Sequence, residues 1–516
     1  MANKESWPHK EAVIFANKSL TYEQLVEQVR SYSGGFQELG IVKGTHVGFL
    51  LQNSIEFIIA ILAIADCGAV AIPMDPSVGP KTLLNSANET DMDFLLANDS
   101  VIERILKSEH KEGFKVKFNK NNCISVGRVI DGFVSLEGVI AKAPDSFVLD
   151  KGKIKTDSSY ILTMTSGSTS SPKPIIFSQQ NKIMRALNAR QVYGLSSTDV
   201  ILVATPLYHS ISQRLIFTPL ITGGTCVVMS VFSPKLWINE IEKRGVTFTI
   251  SVASQLEALI PAIKNSENKL LSLRSVVSCC AILKNEAKKL LIELLNCDFH
   301  ECYGASEVGV ISNIGPEDWA NKITTVGRNV PGVKIRIRDK NGKKLPVGKE
   351  GEITCKSTMV FKGYYNRKQD TETSFDGEYF RTADNGFLDS EGYLVFTGRV
   401  KELIITGGAN VYPKDIEETL GRHPGINEIA VIGIPDKVFG EAVLAVVIPN
   451  SEVVPNKREL NNFCLDNLAE VQRPLDYIFV KDFPRSPLGK ILKQELKNQY
   501  SELDLTDGLR RLLARD

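Results

Sequence analysis

Nine residues carry the sharpest chemical signal in the chain: Thr165-Ser-Gly-Ser-Thr-Ser-Ser-Pro-Lys173, delivered by the apolar run Tyr160-Ile-Leu-Thr-Met. A strand that opens into hydroxyls, a glycine and then a lysine can wrap a polyphosphate. Backbone N–H groups and the hydroxyls of Thr165, Ser166, Ser168 and Thr169 would surround it, Gly167 would give close approach, and Lys173 would answer its charge. It is not the common GxxxxGK[ST] nucleotide loop, because Pro174 follows Lys173. A flexible Ser/Thr linker has the same composition. The nine cysteines form no CxxC pair, so zinc and dithiol redox chemistry have little support, and Cys67, Cys226 and Cys355 read as small core residues.

The elements that must position this loop alternate strand and helix. Thr21 caps a helix with Glu23 in its first turn; His46-Val-Gly-Phe-Leu-Leu is a buried strand, Ser54 to Ala65 a helix, and Ala69-Val-Ala-Ile another strand. The alternation returns at Val200, Thr225 and Phe248, which predicts parallel sheets covered by helices. Near Gly332 the texture shifts to short strands between Gly-rich turns, a small β-barrel or meander. Beyond Lys401 comes a compact α+β segment, with helices at Pro413 to Leu420 and Arg458 to Leu468 and strands at Ile429, Val443 and Tyr477. The expected fold class is therefore α/β, a large domain over 1–400 and a small α+β domain over 401–516.

The chain resembles the acyl-activating, adenylate-forming superfamily, which includes acyl- and aryl-CoA ligases, nonribosomal peptide adenylation domains and firefly luciferase. The resemblance covers nearly the whole chain and its motifs occur in family order. The 165–173 loop is similar to TSGTTGxPKG, with Ser168, Ser170 and Pro174 as departures. Pro206-Leu-Tyr-His209 resembles PLFH, and Leu273-Arg-Ser-Val-Val-Ser-Cys-Cys-Ala281 resembles LRxxxSGGA with two cysteines for glycines. Tyr303-Gly-Ala-Ser-Glu307 is similar to YGxTE, and Thr382-Ala-Asp384 with Gly398-Arg-Val-Lys401 resembles TGD and GRxKD. Pro484-Arg-Ser-Pro-Leu-Gly-Lys490 is similar to the C-terminal catalytic signature.

The resemblance implies a role for each. Tyr303 would stack on adenine, Ser306 would meet the α-phosphate or carboxylate, and Glu307 would bind Mg2+. Asp384 would take the ribose hydroxyls with Arg399 assisting. Lys490 would bridge carboxylate and phosphate oxygens, and Lys401 would be the hinge of a rotating small domain. Gly407 and Gly408 would line the thiol channel, and Phe439, in Asp436-Lys-Val-Phe-Gly-Glu, would pack on CoA. His209, Ile250, Cys279, Cys302, Gly304 and Val310 would border the acyl pocket, with His209 not acting as a base. Most of these are apolar, which implies a neutral-tailed acid, aryl or short- to medium-chain.

The implied reaction is ATP- and Mg2+-dependent formation of acyl-AMP and then transfer to coenzyme A. Loading of a stand-alone acyl or peptidyl carrier protein is an alternative, and a non-catalytic nucleotide-binding regulator is the alternative from another class. Bulk properties fit: 43% hydrophobic and 23% charged residues suit a soluble globular protein. With 61 basic against 60 acidic residues, nothing electrostatic points to nucleic acid. The apolar stretch Phe57 to Ala65 is too short for a bilayer span and the N-terminus shows no apolar leader, so a cytoplasmic protein is expected.

Overall fold

The computed structural model describes residues 2–112, 118–119, 121–144, 155–164, 173–266, 270–281, 283–406, 409–436, 439–486 and 489–503. Among them the strands form four sheets. The predicted alternation appears as two mainly parallel sheets. The nine-stranded sheet is ordered Arg328–Asn329, Gly309–Ile314, Asp298–Ala305, Ser275–Cys279, Phe248–Val252, Val200–Val203, Thr225–Val228, Glu11–Phe15, Lys18–Thr21. The seven-stranded sheet runs Val134–Ser135, Cys123–Val126, Phe94–Asn98, His46–Leu50, Val70–Pro73, Ser159–Met164, Pro174–Ser178.

The helices between these sheets start and stop where side chains dictate. Thr21 and Gln24 close a reciprocal cap on Tyr22–Glu38. Ser54 caps Ile55–Cys67, which ends at Gly68 in the left-handed conformation. That second helix is apolar on nearly every face, so it must be covered on all sides. It is: its isoleucines share one hydrophobic cluster with Val47, Ala71 and Ile161 of one large sheet and Ile201, Phe248 and Val277 of the other. One core therefore ties both sheets together and fixes where their strand ends meet.

The stretch after Gly332 is the expected meander. Val333–Arg338, Gly351–Ser357, Tyr379–Leu388 and Leu394–Arg399 pair antiparallel in succession, with Phe375–Asp376 added beside Tyr379–Leu388. The fourth sheet joins Ala409–Val411, Ile404–Thr406, Gly440–Pro449 and Ile426–Asp436, with Asp476–Phe479 added in parallel. Helices Pro413–Leu420 and Lys457–Asn467 flank it, close to the expected bounds. No described helix is long and apolar enough to cross a membrane.

A buried ion pair pins the strand that leads into the site. Lys288 Nζ lies 2.6 Å from Glu301 Oε2, both side chains being almost wholly buried, and Glu301 Oε1 also accepts the Leu283 N–H at 3.1 Å. Removing one partner strands the other charge in a dry interior. Lys288→Met should cost about 3–5 kcal/mol, whereas Lys288→Met with Glu301→Leu should recover most of it. Calorimetric melting that ranks the double variant below the single would contradict this.

Candidate functional site

The C-terminal ends of the parallel strands converge where the meander and the small sheet meet the large sheets, the usual place for a ligand in open α/β sheets. Strand Asp298–Ala305 brings Tyr303, whose hydroxyl donates to Asp384 Oδ2 at 2.7 Å. Asp384 is paired in register with Arg399 on the neighbouring strand of the meander, and Arg399 Nε stands 3.6 Å from Asp384 Oδ1. Burial raises the Asp384 carboxyl above the usual range, while Arg399, Tyr303 and Lys490 pull it back. A buried carboxylate with two acceptor oxygens suits paired hydroxyls of a ribose.

Glu307 lies one turn beyond Tyr303. Tyr364 donates to its Oε1 at 2.9 Å, and Lys173 Nζ sits 5.2 Å above the Tyr364 ring while pairing with Asp370 at 2.6 Å. The structure thus brings the lysine of the predicted phosphate loop beside the predicted metal carboxylate. Thr165, Ser166, Gly167, Ser168 and Thr169 lie outside the described residues, as do Gly407 and Gly408. The backbone of Ser306 and Glu307 is held from below by Arg185. Its Nη2 donates to the carbonyls of Ser306, Glu307 and Met359 at 2.9, 3.0 and 3.1 Å. Among the described residues no cluster of three His, Cys, Asp or Glu could cage a metal. A lone carboxylate with one oxygen held by a phenol suits Mg2+, which takes its other ligands from phosphates and water. Glu307 would hold the ion, which would offset phosphate charge.

Lys490 comes from the other side. Gly489 adopts φ +77, and a Cβ there would stand 2.8 Å from Ser254 Oγ at the start of helix Ala253–Lys264, so only glycine admits this approach. The turn is closed by Ser486 N–H to the Lys490 carbonyl at 2.8 Å. Lys490 reaches Arg399, Glu402 and Asp384; burial, then the Arg399 charge, lowers its ammonium from 10.5 to about 8. Lys401 lies in the short turn Val400–Glu402 between the two units. Just beyond it, Glu402 and Glu417 are bridged by Lys493 at 3.3 and 2.7 Å, tying that turn to the small domain. Phe439 is half-buried at the hairpin joining Ile426–Asp436 to Gly440–Pro449, its N–H bonded to Asp436 Oδ1 at 2.8 Å.

Of the residues expected to border an acyl pocket, Ile250, Cys279, Cys302, Gly304 and Val310 lie on the nine-stranded sheet. Ile250, Cys279 and Val310 are buried in the main cluster, with Cys302 packed against it. A Cβ on Gly304 would fall 2.1 Å from the Gly309 carbonyl, which explains that glycine. His209 caps helix Ser210–Thr222, its ring 4.3 Å from that of Tyr208; burial lowers its pKa to about 4, and its Nε2 has no partner. It is a neutral wall. Cys279 Sγ lies 3.4 Å from Cys280 Sγ, and all nine cysteines are free thiols. Arg185, Tyr364 and Arg214, which stands beside Cys279 and Cys302, were absent from the sequence reading. A charged residue at the fourth or fifth place of an otherwise apolar helix, as in Ser210-Ile-Ser-Gln-Arg214, is the signal that could have found the last.

A ribose-type carboxylate, a metal-type carboxylate beside a phosphate-loop lysine and a lysine carried in on a separate small domain define an adenylate-forming enzyme. The chain belongs to the AMP-binding enzyme family: that family's model matches residues 2–365, and the model of the AMP-binding enzyme C-terminal domain matches 415–490. It is 28% identical over 494 residues to an indoleacetate–CoA ligase of Aromatoleum aromaticum, covering 95% of each chain. It superimposes on ATP-bound MatB from Rhodopseudomonas palustris with a TM-score of 0.86 at 27% identity, covering 96% of each chain. Against the apo form of the same protein the TM-score is 0.74, with 96% of this chain and 97% of the other covered.

The Lys490 environment has a measurable consequence. Docking lowers its pKa from 10.5 to about 8, so between those values the docked state binds fewer protons and rising pH favours docking while discharging the lysine. An anionic ligand restores the charge. Binding of MgATP near pH 9 should therefore take up as much as about one proton, seen as a buffer-dependent binding enthalpy, and Lys490→Gln should abolish the uptake. Uptake unchanged in the variant would assign it to another group.

Proposed function

We propose that the chain is an AMP-forming acid–CoA ligase. The 1–400 domain binds ATP and a carboxylic acid, aryl or short- to medium-chain, and the 401–516 domain delivers Lys490. The acid's carboxylate attacks the α-phosphorus, giving acyl-AMP and pyrophosphate; the thiol of coenzyme A then displaces AMP. Positioning and charge compensation supply most of the rate. Asp384 and Arg399 hold the ribose, Tyr303 flanks the adenine, Ser306 meets the oxygens at the reacting centre, and Lys173 answers the charge of the departing pyrophosphate. The observation that carries this reading is Lys490 within electrostatic reach of Asp384 and Arg399.

Lys490 occupies the approach to the acyl carbonyl, so a thiol enters only after the small domain turns about Lys401. The name of the Aromatoleum relative and the half-buried Phe439 support CoA over a carrier protein as the acceptor. A non-catalytic regulator would have no use for a lysine buried on a separate domain beside the ribose carboxylate.

The two half-reactions separate the roles. Lys490→Ala should slow acid-dependent pyrophosphate release by about a hundredfold or more and leave thioester formation from supplied acyl-AMP within a few-fold of the native rate. Lys401→Pro should do the reverse by stiffening the hinge. Equal losses in both steps for both variants would contradict the rotating-domain reading.

A further inference from the structure

The chain satisfies its buried cations with care. Lys182 Nζ donates to Gln213 Oε1 at 2.7 Å and lies 4.0 Å above the Phe177 ring. Arg185 is met by three carbonyls, Lys288 by Glu301, and Lys493 by Glu402 and Glu417. Arg214 breaks the pattern. It is half-buried in the second turn of helix Ser210–Thr222, with Nε and Nη2 sealed from solvent and without a hydrogen-bond partner. Among the described residues no carboxylate forms a salt bridge with it.

The groups whose charges act on Arg214 are the Tyr193 phenol and the Cys302 and Cys279 thiols. Burial raises the pKa of all three, so near neutral pH they carry no charge to answer the guanidinium. Arg185 is close too, but as a second cation whose own charge is already met. An unpaired guanidinium in such a place is costly, and an apolar side chain of like size would pack more stably. Its retention points to a ligand that supplies the missing charge.

Position says which ligand. Cys279 and Cys302 belong to the acyl-pocket set, and Cys280, adjoining Cys279, lies within reach of both Arg214 and Lys490. The charges of both cations act on Cys280. Lys490 meets the reacting carboxylate, and Arg214 faces what lies beyond it. A planar guanidinium with free N–H groups matches a carboxylate, two N–H groups to two oxygens.

We propose that Arg214 binds a second carboxylate at the far end of the acid substrate, so that the enzyme activates one end of a short dicarboxylic acid or of a carboxylated aryl acid. This rests on the reading of the site as acid-activating, and it replaces the neutral tail that the apolar pocket residues implied. A neutral tail would leave the guanidinium buried and unmatched, a mismatch that polar sites reject far more strongly than a missing methylene.

The test compares short dicarboxylic acids with their half-methyl esters, reading kcat/KM from pyrophosphate release. On the native enzyme the diacid of best length should exceed its half-ester by about a hundredfold or more. Arg214→Met should remove at least about that factor for the diacid, mostly through KM, and leave the half-ester within about threefold. The variant should melt no lower than the native protein, because it deletes an unpaired charge. Half-esters that match the diacids on the native enzyme would overturn the proposal and leave adenylation standing. Equal losses on both series with a lowered melting temperature would overturn it by making Arg214 structural. No AMP formation from any carboxylic acid would overturn both readings.

Discussion

The buried carboxylate of Asp384 is the point on which three parts of the molecule depend. Tyr303 reaches it from the nine-stranded sheet, Arg399 from the next strand of the meander, and Lys490 from the small domain. Alone, such a carboxylate would be driven toward its neutral form by burial. The phenol and two cations oppose that and keep it an acceptor. The same charges set Lys490, because the ammonium gains Asp384 and Glu402 but pays desolvation and the Arg399 repulsion. Under the proposed roles, ribose recognition and the seating of Lys490 are consequently one electrostatic arrangement.

Backbone constraints serve that arrangement. Ala383, immediately before Asp384, is held at φ +58 and Cys280 at φ +69, both in the left-handed region that glycine occupies without penalty. The TGD and LRxxxSGGA motifs that the chain resembles carry glycine at both positions, and here the left-handed conformation occurs with alanine and cysteine. At Cys280 the side chain adds a thiol on which the charges of Arg214 and Lys490 act. Strain of about 1–3 kcal/mol per position is the usual cost, and it falls here beside the reacting groups. Gly489 could not be replaced in this way, since a Cβ would meet Ser254 and hold the small domain away.

Much of this was legible from sequence because it is local. Caps at Thr21 and Ser54, the parallel alternation and the small α+β domain follow from spacing within a dozen residues. Tyr303, Glu307, Asp384, Arg399 and Lys490 were found by motif, and their convergence was not derivable from spacing. What escaped were partners distant in the chain: Arg185 beneath Ser306, Tyr364 against Glu307, and Arg214 beside Cys302. None stands in a chemical pattern of its own; each matters only through what the fold places next to it. Arg214 lies on helix Ser210–Thr222, outside the strand motifs from which the pocket residues were chosen.

The central claim is that an acid oxygen attacks the α-phosphorus of ATP at this site, and isotope transfer tests it directly. With an accepted acid carrying 18O in its carboxylate, ATP, Mg2+ and CoA, the account predicts one labelled oxygen in the AMP released and none in pyrophosphate. Label in inorganic phosphate alongside ADP would place the attack at the γ-phosphorus. AMP free of label would mean that no acyl-AMP had formed, and either result would contradict the assignment of Asp384, Arg399 and Lys490 to an adenylate-forming centre.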